Sequence, residues 1–103
     1  MPAPALNEAQ KRHLRRLAHP RKVIFQTGNA GLSDAVIKEV DHALEHHELV
    51  KIRVVMDDRK ERDAAIARAC VTLDAALVQR IGHVATLFRP NPDKKEDRIV
   101  LPT

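Results

Sequence analysis

Aromatic side chains are almost missing from this chain: Phe25 and Phe88 are the whole set, with no Trp and no Tyr among 103 residues. A core must therefore be built from Val, Ile, Leu and Ala. Nucleic-acid readers that stack successive bases on exposed rings, such as RRM sheets and OB folds, need several such rings on one surface, and this chain does not have them. Cysteine is equally scarce. With Cys70 alone, neither an intramolecular disulfide nor a cysteine-based zinc site can form, which fits a reducing compartment, and the cytoplasm is the expected location. Nowhere do about eighteen apolar residues follow one another, and Met-Pro-Ala-Pro-Ala-Leu-Asn at the start has no basic segment leading into an apolar run, so neither a membrane span nor a secretory leader is expected.

Acid is missing locally. Residues 1–22 hold six Lys/Arg against Glu8 alone, residues 23–50 hold one against five acids, and residues 51–103 hold eleven against eight. The net charge of +4 is thus concentrated at the N-terminus, where it suits a polyanionic partner. The length supports one domain spanning 1–103, with a body of about 6–90 and a mobile C-terminal tail over 91–103.

The first helix is expected to start at Asn7, whose spacing to Gln10 is that of a capping box, and to end near Ala18, before His19-Pro20. At 100° per residue, Leu6, Gln10, Leu14, Leu17 and Ala18 share one side, while Lys11, Arg12, Arg15 and Arg16 gather on the other. After Arg21 and Lys22, Val23 to Thr27 reads as a strand that stops at Gly28. Ser33 is a good N-cap for a second helix with Val36, Ile37, Val40, Ala43 and Leu44 on its buried stripe. Its exposed side carries Glu39, Asp41 and Glu45.

A second strand is expected over Val50 to Met56, with Lys51 and Arg53 on the face opposite Ile52 and Val54. Asp58 and Glu61 mark the start of a third helix that buries Ile66, Ala69, Cys70 and Leu73; Cys70 sits mid-stripe, as a small buried hydrophobe rather than a nucleophile. Leu77 to Ile81 and Val84 to Phe88 flank Gly82-His83, the pattern of a type II′ hairpin, and Ile99-Val100-Leu101 is a candidate edge strand. The order α-β-α-β-α-β-β gives an α/β fold of the α+β sandwich type, a mixed four-stranded sheet packed with three helices. The first two strands are parallel because a helix lies between them.

Gly28-Asn29-Ala30-Gly31 joins a strand to a helix N-terminus. Glycines allow close approach to a ligand, and the first helical N–H groups favour an anion. This loop, with Leu17-Ala18-His19-Pro20, Lys22, Leu32, Ala43 to Lys51, Ile81-Gly82 and Arg89-Pro90, resembles the small bacterial YhbY-type proteins, whose fold is the CRM (chloroplast RNA splicing and ribosome maturation) RNA-binding domain. The resemblance spans Leu14 to Pro90. It implies a fold similar to the C-terminal domain of translation initiation factor three, binding of structured RNA, and association with ribosomal RNA in precursors of the large ribosomal subunit.

The RNA contacts it implies are Lys11, Arg12, Arg15, Arg16, Arg21 and Lys22, with Gly28, Asn29, Ala30 and Gly31 as a GxxG loop; Lys51, Arg53 and Arg89 are weaker candidates. The family often carries a basic residue inside the loop, where this chain has Asn29 and Ala30, so the loop must act through backbone N–H groups and the Asn amide. Gly31→Asp is expected to remove binding while leaving the fold intact.

Three other readings compete. His42, His46 and His47 suggest a metal site, but the wheel points His47 inward, among Val36, Val40 and Leu44, away from the other two, and there is no HExxH pattern. A nucleotide-dependent enzyme lacks the lysine-serine pair of a P-loop. A module that docks on an acidic protein by its basic helix remains open. The reading adopted is a non-enzymatic, monomeric RNA-binding protein with no catalytic residues, no cofactor, no metal and no membrane association.

Overall fold

Asn7 opens the first helix as its spacing to Gln10 predicts. In the computed structural model, which describes residues 3–28 and 31–103, the Gln10 amide donates to Asn7 Oδ1 at 2.8 Å and the Asn7 amide donates to Gln10 Oε1 at 3.0 Å. Two donors that the helix cannot satisfy internally are thereby paired, and α1 runs Glu8–Ala18. The next two helices are α2 (Asp34–His47), capped by Ser33 Oγ accepting from the Val36 amide, and α3 (Arg59–Leu73), capped by Asp58 Oδ1 accepting from the Glu61 amide. The strands are β1 (Phe25–Gln26), β2 (Leu49–Arg53), β3 (Ala76–Ile81) and β4 (Val84–Phe88).

The sheet order is β1-β2-β4-β3, with β1 parallel to β2 and the other pairs antiparallel. This is the expected mixed sheet. Gly82 opens the hairpin at φ +57°, the first-position geometry of a II′ turn. β1 has fewer paired residues than its composition suggests, although the Ile24 and Thr27 amides also donate to the Lys51 and Arg53 carbonyls. β2 stops at Arg53 rather than Met56 because its neighbour departs there: the buried Thr27 hydroxyl accepts the Val55 amide at 2.9 Å and the chain turns away. In β3 the register shifts between Leu77 and Gln79. The bulge turns Val78 into the core and leaves Leu77 exposed.

The two faces of the sheet carry separate cores. On one, α2 and α3 bury Val40, Leu44, Ile66, Ala69 and Leu73 against Val50, Ile52, Val54 and Leu87. On the other, α1 packs Leu14 and Ala18 on Leu49, Val78 and Phe88. Each large side chain sealed in this way stabilises the fold by about 1.5–3 kcal/mol relative to exposure.

Residues 99–101 do not form the expected edge strand. Ile99 and Leu101 instead pack on the α1-side core beside Leu6 and Leu17. The tail is tied back at its start and middle by one carboxylate: the amides of Asn91 and Ile99 donate to the two oxygens of Glu48, at 2.7 and 2.8 Å. Glu48 is 1% exposed and caps α2 with φ +61°. A buried carboxylate needs such donors, and it finds them in a segment more than forty positions away in sequence.

Cys70 is buried within α3, and burial pushes its thiol up to about 11. The neutral thiol is therefore the form present at physiological pH. Native protein at pH 8 is expected to leave Cys70 unlabelled by iodoacetamide over a time in which denatured protein is fully alkylated. Equal rates in the two states, read by mass spectrometry, would contradict this burial. Because the folded value lies above the unfolded one, the associated stability is complete below pH 9 and is lost between 9 and about 11.

Candidate nucleic-acid interface

α1 covers only part of its face of the sheet. Beyond Leu49 and Phe88 the alternation of the strands presents Lys51 and Arg53 from β2, Gln79 and Ile81 from β3, and Val84 and Thr86 from β4. These six side chains floor a groove of about 710 Å³, walled by Arg15, Arg16 and His19 at the end of α1 and by Val23 of the following linker. Four of the lining residues are Lys or Arg and none is Asp or Glu. With no opposing charge in the lining, the potential in such a concavity is focused and positive.

The cations divide by what already holds them. Arg12, Arg15, Arg16, Lys22 and Arg53 have no ion-pair partner among the described residues, and Arg12, Arg16, Lys22 and Arg53 are exposed. Lys11 makes only a loose pair with Glu8 at 4.0 Å. Arg21 and Lys51 work inside the protein: Arg21 Nη1 donates to the Leu49 carbonyl at 2.7 Å, while Lys51 Nζ donates to the Ala18 and Arg21 carbonyls at 3.3 and 3.1 Å. Placed at the C-terminus of α1, the Lys51 ammonium satisfies a terminal carbonyl and complements the helix dipole. Arg89 is engaged still more fully. Its guanidinium grips Asp41 at 2.6 Å and Glu45 at 3.3 Å and donates to the Leu73 carbonyl at 2.9 Å, fastening β4 to α2 and α3.

That grip also changes the acidic flank of α2, since two of its three carboxylates, Asp41 and Glu45, face a cation. The wheel also misplaces His47: it is exposed, and the buried position beyond Leu44 belongs to Glu48. His42 and His46 meet edge to face with ring centroids 4.5 Å apart. No group of three or more His, Cys, Asp or Glu among the described residues is arranged to hold a metal ion.

The glycine loop adjoins the groove. Gln26 pairs with Arg53, and the Thr27 amide donates to the Arg53 carbonyl at 2.9 Å, so Gly28 leaves the sheet beside the groove's end. Asn29 and Ala30 lie outside the described residues. The two glycines differ in kind. Gly31 is buried at φ +65°, its amide donates to the Gly28 carbonyl at 3.0 Å, and a Cβ there would lie 3.9 Å from Met56 Sδ; it is a turn residue. Gly28 is exposed, has no positive φ, and a Cβ there would meet nothing within 4 Å among the described residues. Neither its φ nor packing among the described residues calls for glycine at 28. Asp at 31, by contrast, would strain the backbone, so Gly31→Asp does not isolate binding from folding.

His19, Gln79, Ile81, Val84 and Thr86 join the site although a reading of charge and glycine passes over them. The signal was present in the hairpin's alternation, which puts Gln79, Ile81, Val84 and Thr86 on one face.

The CRS1/YhbY (CRM) domain matches residues 6–89. The chain is 38% identical over 90 residues to the RNA-binding protein of Haemophilus influenzae, covering 87% of this chain and 91% of that one. It is 33% identical over 91 residues to the probable RNA-binding protein YqeI of Bacillus subtilis, covering 88% and 95%. The solution structure of the hypothetical protein SAV1595 from Staphylococcus aureus superposes with a TM-score of 0.70 at 37% identity, over 95% of this chain and all of that one. Domain match, relatives and shared fold agree over nearly the whole length, and this chain belongs to the CRS1/YhbY (CRM) domain family.

Proposed function

We propose that this chain binds structured RNA by holding phosphates in the groove between α1 and the sheet, while the backbone at Gly28 closes on the same strand. The observation that carries the reading is the carboxylate-free lining of that groove, which Arg53 joins to the glycine loop. Arg15, Arg16 and Arg53 supply charge and directed N–H donors suited to phosphate oxygens. Gln79, half-buried, adds a neutral hydrogen-bonding group at the floor, beneath which Thr86 is buried. Relatives named as RNA-binding proteins support the same partner.

The scarcity of aromatic rings turns recognition toward backbone shape rather than base stacking. The finer reading is a monomeric, non-enzymatic assembly factor in the cytoplasm, bound to ribosomal RNA in precursors of the large subunit. Its support is the resemblance to the family, and co-sedimentation of the chain with those precursors, lost on nuclease treatment, is its expected signature.

Gly28→Asp is the direct test of the loop, because the position is open and the substitution adds bulk and negative charge where a phosphate would approach. Affinity for a labelled RNA stem-loop is expected to fall by about tenfold or more, with an unchanged melting temperature. A folded variant that binds as tightly as the parent would restrict the loop to a turn.

A further inference from the structure

The groove beside α1 is not the only basic concavity on the surface. Across the linker 19–24, on the side away from α1, lies a second one of about 520 Å³, lined in part by Arg21, Lys22, His46, His47, Lys51 and Lys94, with Asp97 as its sole carboxylate. The two concavities are neighbours. Lys51 lines both, Val23 lines the first, and Ile24, 46% exposed, lines the second.

The second concavity is assembled from three distant parts of the chain. The linker brings Arg21 and Lys22, and the last turn of α2 brings His46 and His47. The C-terminal tail brings Lys94, which is where the buried Glu48 acquires a purpose beyond capping. By accepting the amides of Asn91 and Ile99, it closes the tail into a loop whose middle lies over this concavity. Lys94 Nζ donates to the Asp97 carbonyl at 3.3 Å, which orients the ammonium without neutralising it. The two acids of α2 nearest in sequence to His46, Asp41 and Glu45, are turned to Arg89 and do not line this surface.

We propose that this second concavity is a continuation of the RNA surface, so that one RNA backbone crosses the linker from the groove of α1 and is held again by Lys22 and Lys94. The inference rests on the RNA-binding reading given above. It commits to the same RNA as occupant because positive charge outweighs the single carboxylate of Asp97 in the second concavity, the first has no carboxylate at all, and Lys51 lines both. Lys22 and Lys94 supply the contacts, and His46 and His47 offer imidazole donors to phosphate or ribose oxygens.

The test uses the full chain and a fluorescein-labelled RNA stem-loop, with affinity measured across a salt series. Lys22→Gln with Lys94→Gln is expected to weaken binding by about tenfold at 0.1 M salt and to make the log–log salt slope shallower by about 1.5–2, as loss of two phosphate contacts requires. Asp97→Asn, at a position of φ +57° that Asn accepts, is expected to tighten binding by about two- to threefold. Parental affinity and slope in the Lys22/Lys94 variant, together with unchanged or weaker binding by Asp97→Asn, would overturn the second surface while leaving the first intact. Failure of the parent chain itself to bind would overturn the RNA-binding reading and this inference with it, whereas indifference to charge reversal at Arg16 and Arg53 would take the RNA out of the first groove and so overturn its continuation here.

Discussion

Reversing the charge of Arg16 and Arg53 together is expected to reduce affinity for a structured RNA by about 100- to 1,000-fold while the protein stays folded, with only a small fall in melting temperature. The two side chains enter the groove from different sides, Arg16 from the wall formed by α1 and Arg53 from the floor at the end of β2. Neither has an ion-pair partner among the described residues, so the substitutions break no ion pair, and the stability cost is about 0.3–1 kcal/mol, that of a reversed charge at Arg16 in the last turn of α1. Each substitution removes an attraction to phosphate and introduces a repulsion. A like-charge juxtaposition of this kind costs several kcal/mol, with each tenfold in affinity worth about 1.4 kcal/mol. The salt slope should flatten by about 2 as well. Circular dichroism and thermal melting establish the fold, and fluorescence anisotropy over a salt series gives affinity and slope. A folded variant that binds within threefold of the parent would move the RNA elsewhere.

Glu48→Ala is expected to cost about 3–5 kcal/mol of folding stability, since it deletes a buried acceptor of two backbone N–H groups and leaves both donors unpaired away from water. For a chain of this size the melting temperature should fall by more than about 10 °C. Glu48→Gln keeps one carbonyl oxygen but turns an NH2 group toward the second amide, so an intermediate loss follows. Glu48→Gly loses the same hydrogen bonds as Ala but relieves the positive φ, and should be the more stable of those two by about 1 kcal/mol. Urea melts of the three variants order them. A loss of less than about 1 kcal/mol for Glu48→Ala would mean that water replaces the carboxylate and that the tail is not held by it.

Local chemistry in this chain speaks plainly, and distant pairing hardly at all. Asn7, Ser33 and Asp58 each cap the helix they were expected to cap, because a cap is settled within four residues. The α-β-α-β-α-β-β order and the mixed sheet follow from periodicity and connection rules. What escaped depends on partners far along the chain. Lys51, Arg53 and Arg89 look alike in sequence, yet Lys51 is bonded to carbonyls 30 and 33 positions away and Arg89 to a carboxylate 48 away, while Arg53 has no such partner among the described residues.

Glu48 carries no sequence sign of its positive φ, since the usual markers of that geometry are Gly and Asn. The bulge in β3 was equally hidden: Leu77 and Val78 are both strand formers, and only the packing of Val78 beneath α1 decides which turns inward. In the glycine loop the spacing was visible, but the division between a structural Gly31 and an unconstrained Gly28 required the backbone.

The outer strands of the sheet have a bearing on how the protein behaves when concentrated. β1 offers only two fully paired residues before the chain turns off at Gly28, and β3 is interrupted by its bulge within six residues. Neither rim therefore gives an incoming strand a long, regular row of free N–H and C=O groups to zip onto. On the proposed reading the open face is left free for a polyanion, and the rims beside it are broken by their own backbone rather than covered by helices.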